Sequence, residues 1–138
     1  MAYLIDTNVI SEIQKGPKAD AGVSGWYQEV SPNDIYLSVM VLGEIRQGVE
    51  LLRKRDNRQA DILDQRMKVF VNAMNSRILP VTLKIALRWA DNNVPDRLPV
   101  IDGLLAATAL EHDLTLVTRN VKDVERTGVR LLNPFAAK

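Results

Sequence analysis

Short apolar runs alternate with longer amphipathic stretches along the whole chain, and that alternation leaves few folds open. Residues 2–5, 35–38, 78–81, 115–118 and 130–132 read as strands, brief and mostly apolar. Between them lie helical patterns. Residues 7–15 stop at Gly16-Pro17, and residues 19–30 carry Val23, Trp26, Tyr27 and Val30 at helical spacing before Ser31-Pro32 closes them. A helix runs from Val41 to about residue 55, and Asp56-Asn57 is either a break or a bend. Leu63, Met67, Phe70, Val71 and Met74 then mark one apolar helix face. Thr82 is placed to cap the helix carrying Ile85, Ala86 and Trp89, and Val100–Glu111 is an Ala/Leu-rich helix. Strands alternating with helices across the chain imply a parallel sheet covered by helices on both faces. The expectation is one α/β domain spanning residues 1–138.

Composition narrows the chemistry. With no cysteine and a single histidine, His112, the chain cannot build a thiolate zinc site or a two-histidine mechanism. Its 18 basic and 17 acidic residues give a net charge of +1, so nucleic-acid binding would need a local patch rather than bulk charge. No stretch reaches the roughly 20 apolar residues of a membrane span, and the N-terminus lacks a basic leader pattern. The expected compartment is a reducing cytoplasm. Hydrolytic chemistry in such a chain must come from carboxylates.

In open parallel sheets the site lies outside the carboxyl ends of the strands, near the switch in strand order. Asp6 follows the first strand, Glu44 stands one turn into the helix after the second, Asp102 opens the alanine-rich helix, and Asn120 and Asp123 follow the fourth. Taken singly, each acid has a plain structural role available. Asp6 can cap a helix, Asp102 can complement a helix dipole, and Glu44 can be solvated. Together, on one rim and in apolar surroundings, they repel one another and call for raised pKa values or a cation. With oxygen donors alone, that cation is Mg²⁺ or Mn²⁺. Such a site suits phosphodiester hydrolysis.

Four segments carry a family resemblance: residues 4–11 (Leu-Ile-Asp-Thr-Asn-Val-Ile-Ser), residues 38–48 around Glu44, residues 99–109 around Asp102, and residues 116–123 (Leu-Val-Thr-Arg-Asn-Val-Lys-Asp). In order and spacing they resemble the sequence blocks of the PIN-domain family, and within it the VapC-type toxins of bacterial toxin–antitoxin pairs. The resemblance implies five parallel strands in the order 3-2-1-4-5 between helices. It implies a metal-dependent endoribonuclease, the toxin of a type II pair, hydrolysing RNA by metal-activated water. Asp6 and Asp102 match the two carboxylates most consistently tied to the metal, and Glu44 matches the third acid. Asn8 matches the residue that holds Asp6, and Thr118 the hydroxyl beside the fourth position. Many relatives place an aspartate where this chain has Asn120; Asp123 is preferred here as the fourth acid, binding the metal directly or through water. The implied partners are RNA, a VapB/FitA-like antitoxin, DNA only through that antitoxin, and a second copy in a homodimer, with no membrane.

Two basic groups stand out. Residues 46–68 hold seven, interleaved with acids, and read either as solvated helix faces or as a patch. Arg119, Lys122, Arg126 and Arg130 are expected beside the acidic rim, against an RNA backbone. His112 reads as a helix-end or surface residue, and Ser11 as helix surface. A haloacid-dehalogenase-like phosphatase would need an acid where Asn8 stands. A PIN-fold module that mainly binds an antitoxin, with little nuclease activity, remains the alternative at this point.

Overall fold

The computed structural model describes residues 1–136, so the expected boundary at residue 138 lies outside the described residues. Five strands, β1 (Tyr3–Ile5), β2 (Ile35–Ser38), β3 (Ile78–Leu79), β4 (Thr115–Val117) and β5 (Leu131–Leu132), form one sheet in the order β3-β2-β1-β4-β5. Every pairing is parallel. Leu4, Ile5, Leu37, Leu116 and Val117 are all at most 1% exposed, as continuous apolar runs must be when both sheet faces are covered. Among the described residues seven α-helices surround the sheet: α1 (Thr7–Ile13), α2 (Ala21–Glu29), α3 (Val39–Arg53), α4 (Asn57–Met74), α5 (Leu83–Asn92), α6 (Val100–Glu111) and α7 (Val121–Val124).

The helix starts follow from capping chemistry. Ser38 Oγ accepts the Met40 N–H at 3.1 Å, so α3 begins directly after β2, two residues before the expected start. Asp56 accepts the Gln59 N–H at 3.0 Å and opens α4 as a separate helix; Asp56-Asn57 is a break. Thr82 caps α5 through the Ile85 N–H, as its position suggests. β3 stops at Leu79 because Pro80 has no N–H to extend the ladder.

α6 is buried nearly all round. Gly103, Leu105, Ala106, Ala107, Thr108 and Ala109 are inside, so this helix needs small residues where it meets its neighbours. A Cβ at Gly103 would stand 3.1 Å from Trp89 Cδ1 and 3.2 Å from its Nε1. Gly103→Ala should therefore cost about 1–2 kcal/mol in urea unfolding, overpacking outweighing the gain in helix propensity. A neutral or stabilising result would show that α5 and α6 can part without loss.

Three of the seven basic residues of 46–68 are taken up in ion pairs along and between α3 and α4. Arg46 pairs with Glu50 and Asp64, Arg53 with Glu50 and Asp61, and Lys68 with Asp64. This ladder fixes how α3 lies on α4, and exposed pairs of this kind add little energy each. Mixed-charge helix faces are realised at Arg46, Arg53 and Lys68, while the exposed Lys54, Arg55, Arg58 and Arg66 stand outside these pairs.

Candidate active site

Strands β2 and β3 lie on one side of β1, and β4 and β5 on the other. The chain therefore reverses its direction of travel across the sheet between β1 and β4, which opens a crevice at their carboxyl ends. Asp6 leaves β1 at that point, and Thr118 leaves β4 beside it. The Asp6 N–H donates to the Val117 carbonyl at 2.9 Å, so the sheet ladder itself fixes where this carboxylate starts.

Asp6 is 4% exposed, an expensive place for a charge. Its Oδ1 accepts the Thr7 N–H at 2.6 Å as the cap of α1, and its Oδ2 accepts the Thr118 hydroxyl at 2.7 Å and the Asn8 amide at 3.3 Å. The capping role and the site role thus fall on the same side chain. Burial pushes the Asp6 carboxyl above the usual range; the Thr118 and Thr7 hydrogen bonds pull against it, and the Glu44 charge adds to the rise. Asn8 holds Asp6, in line with its matched role, but Thr118 holds it more closely. The Asn120 N–H donates to the Thr118 hydroxyl oxygen at 3.0 Å, orienting that hydroxyl toward Asp6.

Glu44 faces this group from α3, and the Thr7 hydroxyl donates to its Oε1 at 2.6 Å. Sequence reasoning missed Thr7. A threonine after a strand-end aspartate reads as ordinary helix start, and its partner lies 37 residues away. Asp102, in the first turn of α6, is pushed up to about 6. Burial is the main cause, followed by the charges of Asp6, Asp123 and Glu44 and a hydrogen bond with Asp123. Each of these influences favours the neutral acid, so Asp102 carries the strain of the cluster. Asp123 approaches Asp102 from α7, whereas the exposed Asn120 contributes its backbone rather than its side chain.

Asp6, Glu44, Asp102 and Asp123 thus act on one another electrostatically from four separate elements. Among the described residues, no three His, Asp or Glu side chains close tightly enough to grip one ion as they stand. The donor set nevertheless fits a hard divalent cation. It is all oxygen, one member is buried, and its mutual repulsion is what a cation relieves.

The downstream basic residues do not all reach this rim. Arg130 precedes β5, and its guanidinium binds the Asp113 carboxylate and carbonyl at the opposite end of the sheet. Arg126 ties down the 92–98 loop through the Asn92 and Asp96 carbonyls. Arg119, whose N–H bonds Asn8, stays beside the site, and Lys122 is next to Asp123 on α7. Clustering along the sequence hid this division because a strand separates its two ends in space.

The family model of the PIN domain matches residues 3–128. The chain is 31% identical to the toxin FitB of Neisseria gonorrhoeae, covering 96% of this chain and 97% of that one. It is 30% identical to the VapC ribonuclease Y4jK of Sinorhizobium fredii, over 96% of each. The solved structure of FitAB bound to an IR36 DNA fragment superposes with a TM-score of 0.88 at 30% identity, covering 99% of this chain and 97% of that chain. With a matching family model over most of its length and the same strand order, the chain belongs to the PIN-domain family.

Proposed function

We propose that this chain is the toxin of a bacterial type II toxin–antitoxin pair, a ribonuclease that uses Mg²⁺ or Mn²⁺ held by Asp6, Glu44, Asp102 and Asp123, with Asn120 at the edge of the set. The observation that carries this reading is the buried Asp6, fixed by Thr7 and Thr118 at the switch point and surrounded by like charges. The names of FitB and the VapC ribonuclease support the toxin and nuclease parts. Held by these residues, a divalent cation would supply a water of lowered pKa and screening of charge on the phosphoryl group. The protein's own part is positional. The Thr118 and Thr7 hydrogen bonds favour the ionised form of Asp6 and aim it, and the Thr7 hydroxyl holds Glu44. Asp102, disfavoured as an anion by burial and by the charges of Asp6, Asp123 and Glu44, would gain from a cation. The test is cleavage of single-stranded RNA by the purified chain, expected with Mg²⁺ or Mn²⁺ and absent in EDTA.

The partner is proposed to be a VapB/FitA-like antitoxin that carries the pair to DNA, as the DNA-bound FitAB structure suggests. An apolar groove of about 320 Å³ between α1, α3 and α4, floored by Ile45, Val49 and Met67, opens onto Thr7 and Glu44 and would take an antitoxin tail. An arginine from that tail could neutralise the carboxylates through charge-assisted hydrogen bonds and compete with the metal for the same oxygens. The complex should then bind Mn²⁺ about tenfold or more weakly than the free chain in calorimetry. Equal affinities would place inhibition at RNA access instead. A homodimer is proposed as well, supported by the exposed Leu83 and Leu87 on α5, and sedimentation should find it at micromolar concentration. RNA and the DNA-bound partner make the cytoplasm the proposed compartment. Among the described residues, no helix is long and apolar enough to cross a membrane.

A further inference from the structure

We propose that Arg119 receives the RNA backbone at the mouth of the acidic site and that the segment 133–136 is the brace that holds it there. This rests on the ribonuclease reading. Arg119 is exposed, and it directly follows Thr118, which bonds Asp6. Its backbone N–H donates to Asn8 Oδ1 at 3.3 Å, so its Cα is tied to the residue that holds Asp6. Its guanidinium lies over the Phe135 ring, 4.1 Å from the centroid. A guanidinium held over an aromatic face still carries N–H groups for phosphate oxygens while losing rotamer freedom before the ligand arrives.

Phe135 is held in turn by α2. One oxygen of Asp20 caps that helix through the Gly22 and Val23 N–H groups and also accepts the Ala136 N–H at 2.8 Å. The Asp20 carboxyl sits below its usual range, chiefly through the Ala136 bond, with the Val23 and Gly22 bonds and the Arg119 charge adding to it. A Cβ on Gly22 would stand 2.4 Å from the Pro134 carbonyl oxygen and 2.6 Å from the Ala136 nitrogen, both backbone atoms with no room to yield. Only glycine lets the chain end lie this close. The brace therefore links α2 to the rim of the site, seated by the buried Pro134 and by Phe135, which packs against the edge of the core.

The test uses a fluorescein-labelled single-stranded RNA in EDTA, with binding read by anisotropy over a range of salt, and cleavage in Mg²⁺ read on the same preparations. Arg119→Ala should weaken binding about tenfold and reduce the slope of log affinity against log salt by about 0.7. Phe135→Ala and Gly22→Ala should each weaken it about threefold, and Phe135→Tyr should bind as the wild type does. Arg130→Ala, which removes the same charge at the far end of the sheet, should leave both affinity and slope unchanged. Arg119→Ala matching Arg130→Ala overturns the phosphate role. Wild-type binding by both Phe135→Ala and Gly22→Ala overturns the brace, and a wild-type chain that binds no RNA overturns the whole proposal. RNA that is bound but never cut would instead contradict the nuclease reading and leave the binding comparison decisive.

Discussion

Asp6→Asn is expected to lower RNA cleavage by about a thousandfold or more, equivalent to roughly 4 kcal/mol of lost transition-state stabilisation, with the fold intact. The two effects separate because Asp6 has two jobs. As the cap of α1 it needs only an acceptor for the Thr7 N–H, and asparagine caps as well as aspartate does. The Thr118 hydroxyl, which donates to the other oxygen, Oδ2, can turn to accept from the amide that replaces it. What disappears is the buried negative charge, the part a cation requires. Turnover of labelled RNA and circular dichroism on the same sample check this. An inactive variant that is also unfolded would remove Asp6 from the site and leave it a cap alone.

Asp102→Asn should be as inactive, and in EDTA it should be more stable than the wild type at neutral pH. Folded Asp102 takes its proton at about pH 6, while the unfolded chain takes it near the ordinary aspartate value of 3.8. Between those values the folded state binds more protons, so the wild type loses stability as pH rises through that window. The full shift corresponds to about 3 kcal/mol, and screening at this half-exposed position reduces it to about 1–2 kcal/mol. Asparagine is neutral throughout and escapes the penalty. The variant should melt about 3–8 °C above the wild type at pH 7.5, with a smaller difference at pH 4.5. Millimolar Mg²⁺ should raise the wild-type melting temperature and not that of the variant. An equal difference at both pH values would mean that Asp102 is not charged against its neighbours.

Much of this was legible in the residues. The strands declared themselves by length and apolar continuity, and the strand ends pointed to Asp6, Glu44, Asp102 and the Asn120–Asp123 stretch without a contact map. Strand order came only from the family resemblance, because periodicity says nothing about which strand lies beside which. α7 has four residues, too few for a helical period to show. The Thr7–Glu44 and Asp20–Ala136 bonds join positions far apart in the chain, and neither side chain is unusual where it stands in sequence. Gly22 looked like an ordinary helical residue until the far end of the chain came to lie on it. Arg130 falls away from the rim for the converse reason: it precedes β5 at the amino end of the sheet, whereas Arg119 follows β4 at the carboxyl end.

The most direct measurement is the chemistry of the cut ends. Purified chain is incubated with a defined single-stranded RNA in Mg²⁺, in Mn²⁺ and in EDTA, and the products are resolved by mass spectrometry. Attack by water leaves a linear phosphate on one product and a free hydroxyl on the other, and that pattern should appear with either metal and vanish in EDTA. A 2′,3′-cyclic phosphate, formed when the ribose hydroxyl attacks, or cutting that persists without metal, would contradict a carboxylate-held cation as the centre of this protein's activity.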